Sequence, residues 1–479
     1  MIKLRSCCMW HILLTMFIVS TTSTHLETCS TEEVTNSIAG AVLLQTRTRG
    51  EDHIGSHGRC PGVEHLTSNE PPRDPDMVHF IYTTGCNQYQ LIQAVTLDHS
   101  WRLAGNRGRL TRIAVGCEDA KARALLESSP LQDDPDFAVF FAEGSLMTMP
   151  GTKDQYPARS RPYAIMQWLE AKRAREPTIA ILDPDFVWQR PLSENPCFAA
   201  VRPGRMLAQQ YDLTFLQGFA QNNETAPVVT REEVTAAYST GPPWVMDAGD
   251  LRKMLPDWGR YTDGNSPKEG LLREQEAFNM AALRHGVPAM GQDGLMVSSA
   301  SAGNEAWSRT TSTPQDWRPY VLHYCQIYDY GGWNFYKAFL SDGWWYEASY
   351  KNSVPPPITC GAPLLQEPPA PPTEASEPDR SKLKKAWMLS KLIPSLNKAF
   401  LAYRAKYCQK DLRASHLART MWPRSCSEGK TTRYLVANSG GPSSWLQSAA
   451  IGGDPCGQEA QLMTVPVKEP ASPRQPVSP

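Results

Sequence analysis

At 479 residues the chain is too long for one ordinary core and long enough for a large domain with appendages. Its 48 basic and 49 acidic residues leave a net charge of −1, so nothing in the overall balance points to nucleic acid or an acidic substrate. A hydrophobic share of 41% is that of a globular protein, and the 40 prolines gather toward the ends of the part that reads as folded.

Lys3 and Arg5 precede the apolar run CCMWHILLTMFIVS, which is shorter than the ~20 residues of a comfortable membrane span. A basic start before a short apolar core reads as a secretory signal over 1–24. An uncleaved anchor of a single-pass type II membrane protein and a buried N-terminal helix are the alternatives. Either of the first two places the body in the lumen of the secretory pathway, ER or Golgi. Cysteine use agrees. Apart from Cys7 and Cys8 in the apolar run, the cysteines are scattered singly and form no CxxC pair, which favours disulfides of open pairing over a zinc ribbon. Asn223-Glu224-Thr225 is an N-glycosylation sequon for the same compartment.

Residues 25–75 read as a stem or linker ending in SNEPPRDPD. From there strands and helices alternate. MVHFIYTT (77–84) is a strand, and QYQLIQAVTLDHSWRLAG (88–105) a helix with Leu91, Val95 and Trp101 near one stripe. LTRIAVGC (110–117) is a strand, EDAKARALLESS a helix, and FAVFFA (137–142) a strand. RPYAIMQWLEAKRA (161–174) is a helix with proline in its first turn, and TIAILDPD follows as a strand. This spacing predicts an α/β fold with a largely parallel sheet, whose ligands bind beyond the carboxyl ends of the strands. Further on, GDLRKMLPDW (249–258) and KEGLLREQEAFNMAALRHG (268–286) read as helices, and 317–350 is rich in aromatic residues. A proline-rich linker over 361–380 leads to a basic helical segment, 381–425, interrupted by Pro394, and a disordered tail, 426–479. The basic segment fits either a membrane or partner surface or a helix packed on the folded domain.

Asp183-Pro184-Asp185 stands where the apolar run Ile179–Leu182 ends. Side chains two apart on an extended chain share a side, so both carboxylates can reach one small volume. Such a pair repels unless a cation lies between the two or one is protonated. A hard divalent ion, Mn²⁺ or Mg²⁺, takes oxygen ligands and leaves positions for a phosphate-bearing substrate. Two solvated aspartates in a turn are the plain alternative.

The ordered pieces HFIYTTGCNQYQLIQAVTLDHSW, GRLTRIAVGC, RPYAIMQWL, ILDPDFVWQRPL, PPWVMDAGDLRKMLPDW, EQEAFNMAALRHGV and VLHYCQIYDY resemble the hydroxyproline O-arabinosyltransferases of plants and algae. They are also similar to peptidyl serine α-galactosyltransferases. The resemblance covers roughly residues 77 to 360. It implies a GT-A-like nucleotide-sugar-binding fold over 76–360 with a C-terminal helical extension. It further implies a retaining, metal-dependent transferase that moves a sugar from a UDP-sugar to a Hyp/Pro- or Ser-rich secreted acceptor. Arabinofuranose on hydroxyproline leads and galactose on serine is the alternative. A lectin-like or scaffold protein on the same fold, and a metal-dependent phosphohydrolase, are rivals of other classes.

Under this resemblance Asp183, Asp185 and His323 form a metal site suited to Mn²⁺, and Arg161, at its helix start, meets the nucleotide together with Asn279. Glu274, Gln275, Glu276 and Asp247 are the candidates at the sugar. Glu274 and Glu276 lie some 200° apart on a helix, so both cannot face it, whereas Gln275 and Asn279 share a face. Asp250 is a further candidate or the cap of the helix after it. Tyr328, Tyr330, Trp333, Trp344 and Trp345 could stack on sugar or on an extended proline-rich acceptor.

Overall fold

In a computed structural model, the described residues are Cys60, 74–408 with short breaks, and the backbone of 419–420. The breaks are 152–154, 173, 212–229, 266–271, 293, 304, 308–317, 331–332, 341–355, 363, 366, 369 and 374–375. The N-terminal segment, the sequon, Trp344, Trp345, the side chain of Trp333 and the 426–479 tail lie outside them. No described helix is long and apolar enough to cross a membrane. The described residues belong to the compact unit that begins at Ile54.

The strands are β1 (Val78–Gly85), β2 (Arg109–Val115), β3 (Phe137–Ala142), β4 (Thr178–Leu182), β5 (Phe186–Trp188), β6 (Met206–Gln210), β7 (Thr240–Asp247), β8 (Ala289–Gln292), β9 (Met296–Val297) and β10 (Val321–His323). The seven-stranded sheet has the order β3-β2-β1-β4-β7-β6-β8. β7 alone runs against its neighbours, so the sheet is largely parallel as the alternation predicts. β1 and β4 are buried along nearly their whole length, which explains why they read as continuous apolar runs. β6, β7 and β8 escape the sequence reading: β7 carries two adjacent prolines, Pro242 and Pro243, that hide its strand character.

The helices are α1 (Gln88–Leu103), α2 (Ala120–Glu127), α3 (Ser160–Lys172), α4 (Arg231–Ala237), α5 (Ala248–Arg260), α6 (Arg273–Arg284) and α7 (Arg380–Tyr407). Side-chain caps start several of them. Asn87 accepts from the Gln90 amide, Asp119 from Ala122, and Asp379 from Ser381 and Lys382. At the turn into β2, Gly108 adopts φ +88°, and a Cβ there would lie 2.2 Å from the Val78 carbonyl oxygen, so only glycine fits.

One face of the sheet packs Trp168 of α3, Trp258 of α5 and Phe278 of α6 against Ile181 and Trp244. Leu97 and Trp101 of α1 cover Phe80, Tyr82 and Leu182 in a second cluster. A third joins Val187 of β5 and Leu322 of β10 to Leu392, Leu396 and Phe400 of α7. α7 passes through Pro394 unbroken, contrary to the expected interruption, and is the C-terminal helical extension. Its apolar face is buried in that third cluster, which holds it as a helix despite the proline. Disulfides join Cys60 to Cys197, Cys86 to Cys117 and Cys360 to Cys408.

Candidate metal and donor site

The chain leaves the large sheet at Leu182 and enters a three-stranded sheet, β5-β10-β9, at Phe186. Asp183, Pro184 and Asp185 are the link, with a turn at Pro184 and Asp185 rather than the extended chain the spacing suggests. Antiparallel pairing of β5 with β10 sets His323 opposite Phe186, and the Tyr324 amide donates to the Asp185 carbonyl at 3.2 Å. That register carries the histidine to the aspartates. His323 Nε2 lies 3.7 Å from Asp183 Oδ2 and 3.3 Å from Asp185 Oδ1. All three residues are buried, and one ligand atom from each lies within 4.8 Å of the others.

The outer carboxylate oxygens are occupied by cations. Arg161 of α3 donates to Asp183 Oδ1 and to Glu274 Oε2 of α6, and Lys337 donates to Asp185 Oδ2. Burial would raise the Asp185 carboxyl, but Lys337 and His323 outweigh it and hold it well below the usual carboxylate range. Burial also pushes Glu274 up, with a further push from Asp183 and against the pull of Arg161, to about 7. Two hard oxygens and one imidazole nitrogen, already converged and buried, fit a divalent ion such as Mn²⁺. Lys337 escapes sequence reading: one lysine in an aromatic segment carries no signal, and only the tertiary structure sets it against Asp185.

The remaining candidates divide. Arg161 is buried between two carboxylates instead of opening toward a phosphate, because Asp183 and Glu274 claim its guanidinium. Gln275 is partly exposed, and Glu276 is buried. Buried oxygens Glu274 Oε1 and Gln275 Oε1 have no hydrogen-bond partner among the described residues. Asn279 does not face the cluster. Its oxygen accepts from the Thr240 amide and hydroxyl, and its nitrogen donates to the carbonyls of Thr240 and Gln275, so its hydrogen-bonding capacity is spent joining α6 to β7.

Asp247 is displaced further. It pairs with Thr178, the first residue of β4, whereas Asp183 follows the last, which puts roughly 16 Å of strand between them at ~3.3 Å per residue. Its carboxylate caps α5, accepting from the Gly249 amide, so the cap falls here and not on Asp250. Asp250 accepts from the Gly204 amide and from Lys253. Tyr328 is buried with its hydroxyl turned inward, which takes it out of the set of stacking surfaces.

Compared with known proteins, the chain matches no family model. It is similar to the peptidyl serine alpha-galactosyltransferase of Arabidopsis thaliana, 26% identical over 306 residues that cover 58% of this chain and 34% of that protein. The protein of the same name from Chlamydomonas reinhardtii is 22% identical over 392 residues, covering 72% and 48%. The chain is thus similar to the peptidyl serine galactosyltransferase-like glycosyltransferases. It spans between 34% and 48% of the length of these curated relatives.

Among solved structures, the galactosyltransferase LgtC with donor and acceptor sugar analogs overlaps 52% of this chain and 87% of its own, at 10% identity and a TM-score of 0.33. Mouse xyloside xylosyltransferase 1 overlaps 52% and 97%, at 16% identity and a TM-score of 0.32. Overlaps this loose locate no residue, and the site rests on its own geometry.

Proposed function

We propose that the chain is a metal-dependent glycosyltransferase that moves a sugar from a nucleotide-sugar donor to a hydroxyl group of a secreted glycoprotein. The observation that carries this reading is the convergence of Asp183, Asp185 and His323 in one buried cluster at the end of a parallel strand. Asp183 Oδ2, Asp185 Oδ1 and His323 Nε2 would hold the ion, Mn²⁺ or Mg²⁺. When bound, it supplies charge stabilisation to a departing diphosphate.

The chain's own residues prepare that role. Arg161 and Lys337 fix the outer oxygens, so the inner pair keeps its orientation without reorganising. Lys337 adds a fixed positive charge beside the cluster. The unpartnered oxygens of Glu274 and Gln275 suit hydroxyl donors, of which a sugar ring has several. Glu274 is also the carboxylate available to a double displacement, whereas same-face attack needs none. Three disulfides support an oxidising compartment, the lumen of the ER or Golgi.

Transfer of galactose to serine is the leading pairing, because both curated relatives carry that name. Transfer of arabinofuranose to hydroxyproline is the second, favoured by RPYAIMQWL and DPDFVWQRPL. The deciding experiment incubates the protein with Mn²⁺, a panel of UDP-sugars and peptides bearing serine or hydroxyproline, and reads peptide mass. A hexose on serine confirms the first pairing and a pentose on hydroxyproline the second. Either must vanish with chelator and in Asp185→Asn. No transfer from any donor, with no metal bound, overturns the transferase reading.

A further inference from the structure

His323 sits on a sheet too short to set its own register: β10 has three residues and β9 has two. What fixes it comes from outside that sheet. The Tyr328 hydroxyl, fully buried, is shared between the His323 carbonyl at 2.9 Å and the Ser298 carbonyl at 2.8 Å. Ser298 is held in turn by Glu305, whose carboxylate accepts from its amide and its hydroxyl, both at 2.6 Å. Trp307 Nε1 donates to the Ser299 carbonyl at 2.7 Å.

The C-terminal helix closes the chain of contacts. Lys384 Nζ donates to the Ala300 carbonyl at 3.0 Å and lies over the Trp307 ring, and Trp387 meets that ring edge-on at 6.0 Å between centroids. Lys385 pairs with Asp329, next to Tyr328, at 2.6 Å. Asn397 donates to the Leu365 carbonyl and accepts from its amide, and the Cys360–Cys408 disulfide closes the far end, so α7 is itself anchored.

We infer that Tyr328 and α7 form a positioning unit that holds His323 in register with Asp183 and Asp185, so that metal occupancy depends on a helix bearing no ligand. The inference rests on the metal reading above. Partners that orient a metal ligand are commonly worth about 10–100-fold in affinity, and a main-chain hold such as this belongs at the lower end.

The test titrates Mn²⁺ into the full chain and follows free Mn²⁺ by electron paramagnetic resonance. It compares wild type, Tyr328→Phe, Lys384→Met, Asp185→Asn and Asp247→Ala, with unfolding midpoints taken in chelator. Tyr328→Phe keeps the ring and should weaken binding about tenfold, Lys384→Met about threefold. Asp247→Ala removes the α5 cap at the opposite end of β4 from Asp183 and should leave affinity near wild type. Affinity of Tyr328→Phe within twofold of wild type overturns the inference, and so does an equal loss in Asp247→Ala, which would trace the effect to global stability. Wild-type affinity in Lys384→Met removes the helix from the unit and overturns the inference as stated. If wild type binds no more Mn²⁺ than Asp185→Asn, the metal reading itself fails and carries the inference with it.

Discussion

The cluster of Asp183, Asp185 and His323 has two halves built on different principles. Its aspartate half ends a central strand of the large sheet, and each outer oxygen is held by a cation, the buried Arg161 or the half-buried Lys337. Its histidine half stands on a short three-residue strand held by main-chain bonds, an aromatic edge from Phe186 at 5.0 Å and the packing of α7. The first half is fixed by charge and the second by packing. Substitutions should therefore fail differently in the two: by unpaired charge in one and by lost register in the other.

The largest effect should come from Asp185→Asn. It removes a proposed ligand and leaves the half-buried Lys337 without its carboxylate, so Mn²⁺ affinity should fall by roughly 100-fold or more and stability should fall even in chelator. His323→Ala should weaken Mn²⁺ by a similar factor with a smaller loss of metal-free stability. Equal stability losses in both, read by denaturant unfolding in chelator, would erase the contrast between the halves.

Arg161→Met should follow, since it leaves Asp183 and Glu274 as neighbouring buried carboxylates. About 3 kcal/mol of unfolding free energy should be lost, the usual consequence of stripping one partner from a buried pair. Denaturant unfolding at neutral pH measures it.

Glu274 gives a pH signature. Its carboxyl is raised from 4.5 to about 7 in the folded protein, so between those values the folded state binds more protons than the unfolded one. Its contribution to stability is thus present below 4.5 and is lost as pH rises toward 7. Glu274→Gln should flatten that fall in a series of melting curves. In the transfer assay, near-complete loss in Glu274→Gln supports double displacement, and a substantial residual rate supports same-face attack.

The smallest effect belongs to Asp247→Ala. Loss of the α5 cap should cost about 1 kcal/mol of stability while Mn²⁺ affinity and transfer stay unchanged. A transfer rate reduced more than tenfold would return Asp247 to the site.

Much of this was readable along the chain because it is local. The Ile179–Leu182 run, the Asp-Pro-Asp step after it and the helix from Ser160 each follow from neighbours a few residues apart, through burial, turn chemistry and capping. The sequence alone therefore determined the alternating α/β pattern, the cation-seeking pair and, by family resemblance, the histidine that completes it. What it left open is long-range. Nothing near Asp247 shows that β7 runs antiparallel and takes its carboxylate to the far end of β4. Nothing near Asn279 shows that Thr240 will consume its amide. Lys337, Tyr328 and α7 acquire their places only when β10 pairs with β5, because a side chain's electrostatic partner is set by which strands meet and in which register, and that is decided by the packing of the whole chain.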